Sequence, residues 1–570
     1  MEQRNLIIAA VLSVLIIFSY PFLLELMGVD MEPPAPPPAE TTAPAETAPA
    51  PAPAAPAVDR ETVIAQGGRV TIKSPRLKGS IALQGARIDD LVLLDYRTTV
   101  DDSSPNIVLL SPAGAEQAYY ATFGWLAAAG AAVPGPETIW QTDSDTLTPD
   151  RPVTLTWDNG QGLRFTQTYD LDENYMFTVT QRVDNLGEAP AELFPYGAVS
   201  RTGTPVTEGL FILHEGMIGV LEGTLKETTY DELQEAGSET YDSTGGWLGI
   251  TDKYWLVALV PDQQAQVAAR FAHATRGGTD LYQTDYRGSA VSLAPGTSAE
   301  ATGRLFAGAK EVRLLDHYGD QLGIPLLDRS VDFAGYLGYF LTLIAKPLFY
   351  VLDFIYRLVG NFGVAILLLT VLVKLAFYPL ANKSYRAMSK MKLLTPEMTK
   401  LRERFKEDKA RLNQEMMALY KREKVNPAAG CLPILVQIPV FIALYQVLYV
   451  TIEMRHAPFF GWIQDLSAPD PTSIFNFFGL APWDVPDLGP LQILSIGVWP
   501  IIMGLTMWVQ QKLNPAPPDP VQARIFMMLP IVFTFMLGHF AAGLVIYWAW
   551  NNILSIAQQR LIMWRMGVKT

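Results

Sequence analysis

After residue 361 the chain holds five apolar stretches, about 362–380, 430–450, 491–511, 525–540 and 543–558. Within them a single charged residue occurs, Lys374. Charge-free runs of such length do not suit a soluble fold and read as membrane spans. A sixth, 6–24, is 19 residues without charge, preceded by Arg4. At 1.5 Å per residue it reaches about 28 Å, close to the roughly 30 Å of a bilayer core. A cleaved signal peptide is the rival reading, but its apolar region runs only about 7–15 residues, so residues 1–28 are read as an uncleaved anchor. Composition agrees: 49% of residues are hydrophobic and 18% charged, where a soluble domain is nearer a quarter charged.

Charge divides the chain as sharply as hydropathy. Residues 58–330 carry 37 Asp/Glu and 20 Lys/Arg, whereas residues 382–424 carry 13 Lys/Arg and 6 Asp/Glu. Such opposite balances indicate compartments on two sides of a bilayer. Loop 451–488 has one basic and five acidic residues, loop 512–524 two basic and one acidic, and the tail from Arg560 three basic and none acidic. Counting alternate loops gives six spans with both termini cytoplasmic and residues 58–329 outside.

Residues 29–57 are rich in Pro and Ala, with ten prolines between 31 and 57, and are read as an extended tether. Residues 58–329 alternate in the manner of strands, as in Val70-Thr71-Ile72. Asn159-Gly160 between two such runs predicts a hairpin. The expected fold is a large β-sandwich, with a helix over 308–317 closing it. In 330–361 the apolar pattern is broken by Lys346-Pro347, Asp353 and Arg357 at helical spacing, which predicts an amphipathic helix lying in the interface. After span 362–381, residues 382–426 predict a helical hairpin. Met388, Met391, Leu394, Met398, Leu401 and Phe405 form one apolar seam, and Leu412, Met416, Leu419 and Tyr420 the other. Residues 427–570 carry the four remaining spans, short loops and the basic tail.

Lys374 costs at least ~2.5–3.5 kcal/mol in a span on insertion scales. No Asp or Glu in another span can pair with it. Two readings stand. The lysine stem carries the ammonium to the cytoplasmic interface, or the ammonium faces a wet cavity open to the cytoplasm. Thr370 lies one turn earlier on the same face. Gln437, Thr506, Gln510, Asn551 and Asn552 are polar residues available from other spans, each also an ordinary interhelical hydrogen-bond partner. Five histidines without paired spacing and a single cysteine, Cys431, predict no metal site and no catalytic triad; no nucleotide-binding motif and no cofactor are expected.

Several motifs then fall into one order: Tyr378-Pro379-Leu380, Gln414–Lys421, Lys424-Val425-Asn426-Pro427, Gly430-Cys431-Leu432-Pro433, Asp465-Leu466-Ser467 with Asp470-Pro471, and Gly543–Trp548. Together the chain resembles the YidC/Oxa/Alb insertase family over essentially its whole length, in the Gram-negative form with a large periplasmic domain. The resemblance implies a polytopic α-helical protein of the bacterial inner membrane, with a five-helix core and a periplasmic all-β supersandwich similar to sugar mutarotases. No motif carries that catalysis over, so no enzyme is expected. It implies insertion and folding of nascent membrane proteins, alone or with the Sec translocon, through a hydrophilic groove open to cytoplasm and lipid. The family's groove cation, usually arginine, corresponds to Lys374; its threonine to Thr370; its aromatic pair to Tyr547 and Trp548, with tryptophan in place of the commoner tyrosine. Gln437 and Asn552 complete the expected groove. Lys390, Lys400, Lys406 and Lys409 of the hairpin are expected to meet ribosome or targeting factors, without specific nucleic-acid recognition. Two other classes fit the residues alone. A secondary transporter would want internal repeats, of which none is visible, and a membrane-anchored carbohydrate-binding module leaves the basic hairpin unexplained.

Overall fold

Strict alternation builds the first half of the chain. In Arg69–Lys73, Val70 and Ile72 are fully buried while Thr71 and Lys73 point to solvent. The computed structural model describes residues 58–128, 131–208, 213–333, 339–406, 408–423, 425, 432–481, 483, 485, 489–514 and 520–567, and of 339–340, 409, 432–436, 490 and 520–522 the backbone alone. The anchor and the tether expected over 1–57 lie outside the described residues.

Among these residues two sheets form, one of eleven strands and one of nine. In the larger, Tyr119–Ala127 and Thr279–Gly288 flank Ala191–Thr202, all antiparallel. In the smaller, Met176–Asn185 lies between Leu163–Leu171 and Ser298–Ala309. Trp125 and Phe271 of the first sheet and Phe165, Phe177, Trp247 and Phe306 of the second are buried in one core. Buried polar groups tie the layers: Gln167 donates to the Phe123 carbonyl (2.8 Å) and the Tyr169 hydroxyl to the Ala86 carbonyl (2.9 Å). The expected β-sandwich is therefore present. The Asn159-Gly160 hairpin joins Val153–Asp158 to Leu163–Leu171 through a four-residue loop. There the Asn159 side chain accepts from the Gln161 and Leu163 amides, and Gly160 and Gly162 take positive φ.

The helix expected over 308–317 is displaced. The last strand runs on to Ala309, because Leu305 to Ala309 are buried and still pair with Trp255–Leu259, and helix α1 spans Val312–Leu322. Next come α2 (Tyr339–Val359), α3 (Phe362–Ala376), α4 (Tyr378–Arg404), α5 (Lys409–Arg422) and α6 (Leu432–Val450). Helices α7 (Val498–Leu513), α8 (Pro520–Leu537) and α9 (Ala542–Arg565) complete the chain.

Helix α2 has three faces where the sequence suggested two. Leu341, Ala345, Phe349 and Leu352 are buried in the shared core. The polar face meets protein: Lys346 bridges Asp316 (2.8 Å) and Asp328 (2.6 Å), Tyr350 donates to Asp316, and Asp353 pairs with Arg313 and Arg357. The residues taken as a sign of an interfacial helix thus fasten α2 to α1. Its exposed stripe is the apolar one, Leu343, Val351, Phe354 and Leu358.

Among the described residues no single helix is long and apolar enough to cross a membrane alone; α3 and α4 together make an apolar pair bent by 71°. The stretch expected over 362–380 stops at Ala376, since Pro379 lacks an amide hydrogen and its ring crowds the carbonyl four residues back. The stretch expected from 491 becomes helical only at Val498, leaving α7 16 residues, about 24 Å. Helix α9 runs past 558 to Arg565, adding Gln559, Arg560 and Arg565 to its apolar segment.

The last turns of α6 and the segment after it seat the β domain on the helices. Gln446 donates to the Asp332 carbonyl (2.7 Å), the Arg455 guanidinium to the carbonyls of Arg97 (2.7 Å) and Thr98 (3.2 Å), and Glu453 accepts from the Val312 amide at the start of α1 (3.0 Å). Although Glu453 keeps some exposure as a residue, its carboxylate is enclosed. Burial, with Glu311 and Asp353 adding negative charge, pushes its pKa from 4.5 up to about 8. A carboxyl whose folded pKa is raised stabilises the seat fully below the unfolded value and loses that contribution as pH rises through the folded one. The thermal midpoint of the purified protein is therefore expected to fall between pH 4.5 and about 8, and Glu453→Gln to flatten that slope. An unchanged slope in the variant refutes the assignment.

Candidate functional site

An open cleft of about 450 Å³ lies where α3, α4 and α6 meet, lined by Val373, Lys374, Phe377, Tyr385, Gln437 and Val440. Two of its residues were expected from sequence, Lys374 and Gln437. The Lys374 ammonium donates to the Ser555 hydroxyl of α9 (2.7 Å), and Gln437 donates to the Tyr547 hydroxyl (3.2 Å). Lys374 thus points across the bundle toward α9. Among the described residues no carboxylate lies within ion-pair distance of it.

Helix α9 positions the rest. Tyr547, Asn551, Ser555 and Gln559 recur every fourth residue, so they stack along one side of the helix, and all four are buried. Ser555 also hydrogen-bonds with Tyr385 and donates to the Asn551 carbonyl. The side-chain oxygens of Asn551 and Gln559 and the Gln558 amide nitrogen are buried with no partner among the described residues. Buried amides without partners are costly, so water or a polar chain segment is needed there.

The other expected residues divide. Asn552 donates to Thr506 of α7 (3.2 Å), away from Lys374. Trp548 packs its ring on Phe441 (4.3 Å between centroids) and Phe533, within the apolar cluster of α7, α8 and α9. Thr370 is 2% exposed and its hydroxyl bonds back to the Ile366 carbonyl of its own helix (2.6 Å). Ser555 and Tyr385 were not anticipated. The four-residue recurrence of polar residues along α9 was the available signal for Ser555.

Two family models match this chain. Residues 69–351 match the YidC periplasmic domain, and residues 354–569 the 60Kd inner membrane protein. A membrane protein insertase YidC of Methylorubrum extorquens is 54% identical over 548 residues, covering 94% of this chain and 88% of its own. That of Bradyrhizobium diazoefficiens is 49% identical over 605 residues, covering 100% and 97%. The chain belongs to the YidC membrane protein insertase family. YidC proteins are inner-membrane insertases with a periplasmic domain and are not enzymes. The transporter and carbohydrate-module readings fall with that assignment.

In this YidC chain α4 and α5 pair as the sequence predicted. Met398, Met416, Leu419 and Tyr420 form a small core, with Leu394, Leu401 and Leu412 against it. The first seam does not stay whole: Met388 turns instead to Tyr385 and to Ile562 of α9. Helix α4 therefore leans on the end of α9 before it meets α5. Lys390, Lys400 and Lys406 are exposed on the hairpin. The side chain of Lys409 lies outside the described residues.

Replacing Ser555 by Ala removes the acceptor of a part-buried ammonium, an expected loss of about 1–3 kcal/mol. Thr370→Val removes a hydroxyl that serves only its own helix and is expected to change stability far less. Thermal unfolding of the two variants in detergent checks the order; equal midpoints reject the Lys374–Ser555 bond as a structural contributor.

Proposed function

We propose that this insertase works through the cleft at Lys374, and that the cleft is the cytoplasmic-side groove of a six-span protein. Residues 1–28 anchor it, 29–57 tether it, 58–329 form its periplasmic domain, and 382–426 form a cytoplasmic hairpin, with both termini in the cytoplasm. The observation that carries this reading is the direction of Lys374. A snorkelling lysine points to the interface, whereas this ammonium is aimed across the bundle at Ser555, beside Gln437 and Tyr547.

With the neutral Ser555 hydroxyl as its acceptor and no counter-ion among the described residues, the ammonium is poised for a transient anion. A polar or acidic segment of a nascent membrane protein enters from the cytoplasm and is held at depth by Lys374, Gln437 and the α9 stripe. Its apolar segment leaves sideways into lipid, driven by hydrophobic transfer. Thr370 and Trp548 are assigned supporting roles, Thr370 under Lys374 and Trp548 in the packing of α6 against α8 and α9; Asn552 holds α7 to α9. Short helices such as α3 and α7 favour a thinned bilayer and a shorter polar path. The Sec translocon, ribosome and targeting factors are the partners we assign, the last two to the hairpin.

Charge decides the central test. Lys374→Arg is expected to insert substrates nearly as the parent does, because both side chains stay protonated in a wet site. Lys374→Ala is expected to impair a substrate with an acidic translocated tail, and to spare a matched neutral-tailed one. If Lys374→Ala inserts both members of the pair like the parent, the groove-cation role is wrong.

For the hairpin, combined Lys→Glu changes at Lys390, Lys400 and Lys406 are expected to slow recruitment of ribosome-bound substrates and to make it more sensitive to salt. Insertion kinetics that do not change across ionic strength identify the hairpin as a passive connector.

A further inference from the structure

One wall of the cleft is the root of the hairpin. Leu380, Ala381 and Tyr385, from the first turns of α4, line it beside Lys374, Phe377 and Gln437. A single residue, Phe377, separates α4 from α3, and the two helices are bent there by 71°. From this joint the arm runs on for the 27 residues of α4, about 40 Å. The exposed Lys390 and Lys400 lie farther along it, whereas Tyr385 is eight residues from the joint. A root so close to the joint moves little when the tip moves much. By this leverage a displacement of about 10 Å at Arg404 shifts Tyr385 by about 3 Å, roughly the length of a hydrogen bond.

What holds the root is small. Tyr385 and Met388 are buried against Ile562 of α9, with Ala381 and Met566 beside them. This apolar cluster is separate from the main core and from the small core between α4 and α5. Two of its members are methionines, whose flexible side chains repack at low cost. The Tyr385 hydroxyl adds a polar fastening on Ser555. Ser555 gives its one hydrogen to the Asn551 carbonyl (2.8 Å), which leaves its oxygen two lone pairs to offer. Lys374 takes one of them (2.7 Å) and Tyr385 the other. A single oxygen of α9 thus joins the hairpin root to the cation of the cleft.

We propose that Tyr385 is a latch through which the hairpin controls the cleft. Seated on Ser555, it holds the α4 wall of the cleft against α9. A partner that draws on the hairpin lifts Tyr385 from Ser555, and the wall moves out and widens the path to Lys374. Tyr385 is a positioning residue, because its effect on Lys374 passes through Ser555. The inference rests on the reading of the cleft as the insertion groove.

The test uses the full chain with Cys431→Ser, Met388→Cys and Ile562→Cys in phosphatidylethanolamine–phosphatidylglycerol vesicles. A short bis-methanethiosulfonate linker joins the two cysteines, and a thiol reductant removes it. The linked protein is expected to insert acidic-tailed and neutral-tailed substrates at least tenfold more slowly than the parent, and reduction to restore both rates. Single-cysteine variants treated alike are expected to keep the parent rates. Tyr385→Phe keeps the ring and removes the hydroxyl, and is expected to slow linking of the pair several-fold. A pair that does not link, equal linking with Phe at 385, or a loss that reduction does not reverse overturns the latch. Normal insertion by the linked protein, where Lys374→Ala still impairs the acidic-tailed substrate, overturns the latch and leaves the groove. Lys374→Ala inserting both substrates like the parent overturns the groove itself.

Discussion

The helical half of the protein hangs on one row of hydrogen bonds along its last helix. Tyr547 meets α6 through Gln437, Ser555 meets α3 through Lys374, and Gln559 meets α7 through Asn514. Trp550 adds a bond to the Leu367 carbonyl of α3. Apolar packing alone does not orient helices in lipid, because hydrocarbon is as good a neighbour as leucine; polar contacts, each a modest stabilisation, fix which helix sits where. Two of these contacts, made by Gln437 and Lys374, start from residues that line the cleft. A change in the row therefore touches architecture and chemistry together.

A second dependence runs across the junction with the β domain. The linker composition suggests a loosely tethered module, yet its C-terminal side is firmly seated. A continuous buried cluster passes from the sheets through Leu315, Leu327 and Phe333 to Phe349 and on to Leu444 and Tyr547. Around it lie enclosed charges: Lys310, fully buried, donates to the Thr251 hydroxyl (2.9 Å), and burial holds its pKa down at about 8. Arg455, the only basic residue of loop 451–488, is spent on two carbonyls of the β domain and lies over the rings of Tyr254 and Trp255. That loop counted toward orientation through its lack of positive charge, and the one exception is a structural fastener.

Much of the fold was legible where a single period governs a segment. Val70 and Ile72, or Met416, Leu419 and Tyr420, announce their faces because nothing distant overrides the alternation or the helical spacing. Legibility fails where a residue serves a partner far away in sequence. Asp353 and Lys346 read as a water-facing stripe, and their partners Arg313, Asp316 and Asp328 lie 18 to 40 residues earlier. Thr370, one turn from Lys374, reads as a groove residue and instead satisfies its own helix.

The sequence by itself determined the two-part organisation, the charge asymmetry, the solitary cation and the family, because composition, spacing and motif are properties of the linear chain. Only the tertiary structure decided where that cation points. The reach of a lysine stem allows either the interface or the bundle. What selects between them is an acceptor 181 residues further on, Ser555, whose position depends on how α9 packs against α3. The same holds for the ends of the helices. Prolines mark where a helix must break, but the 71° angle of the break after α3 and the cleft beside it exist only once the helices are packed.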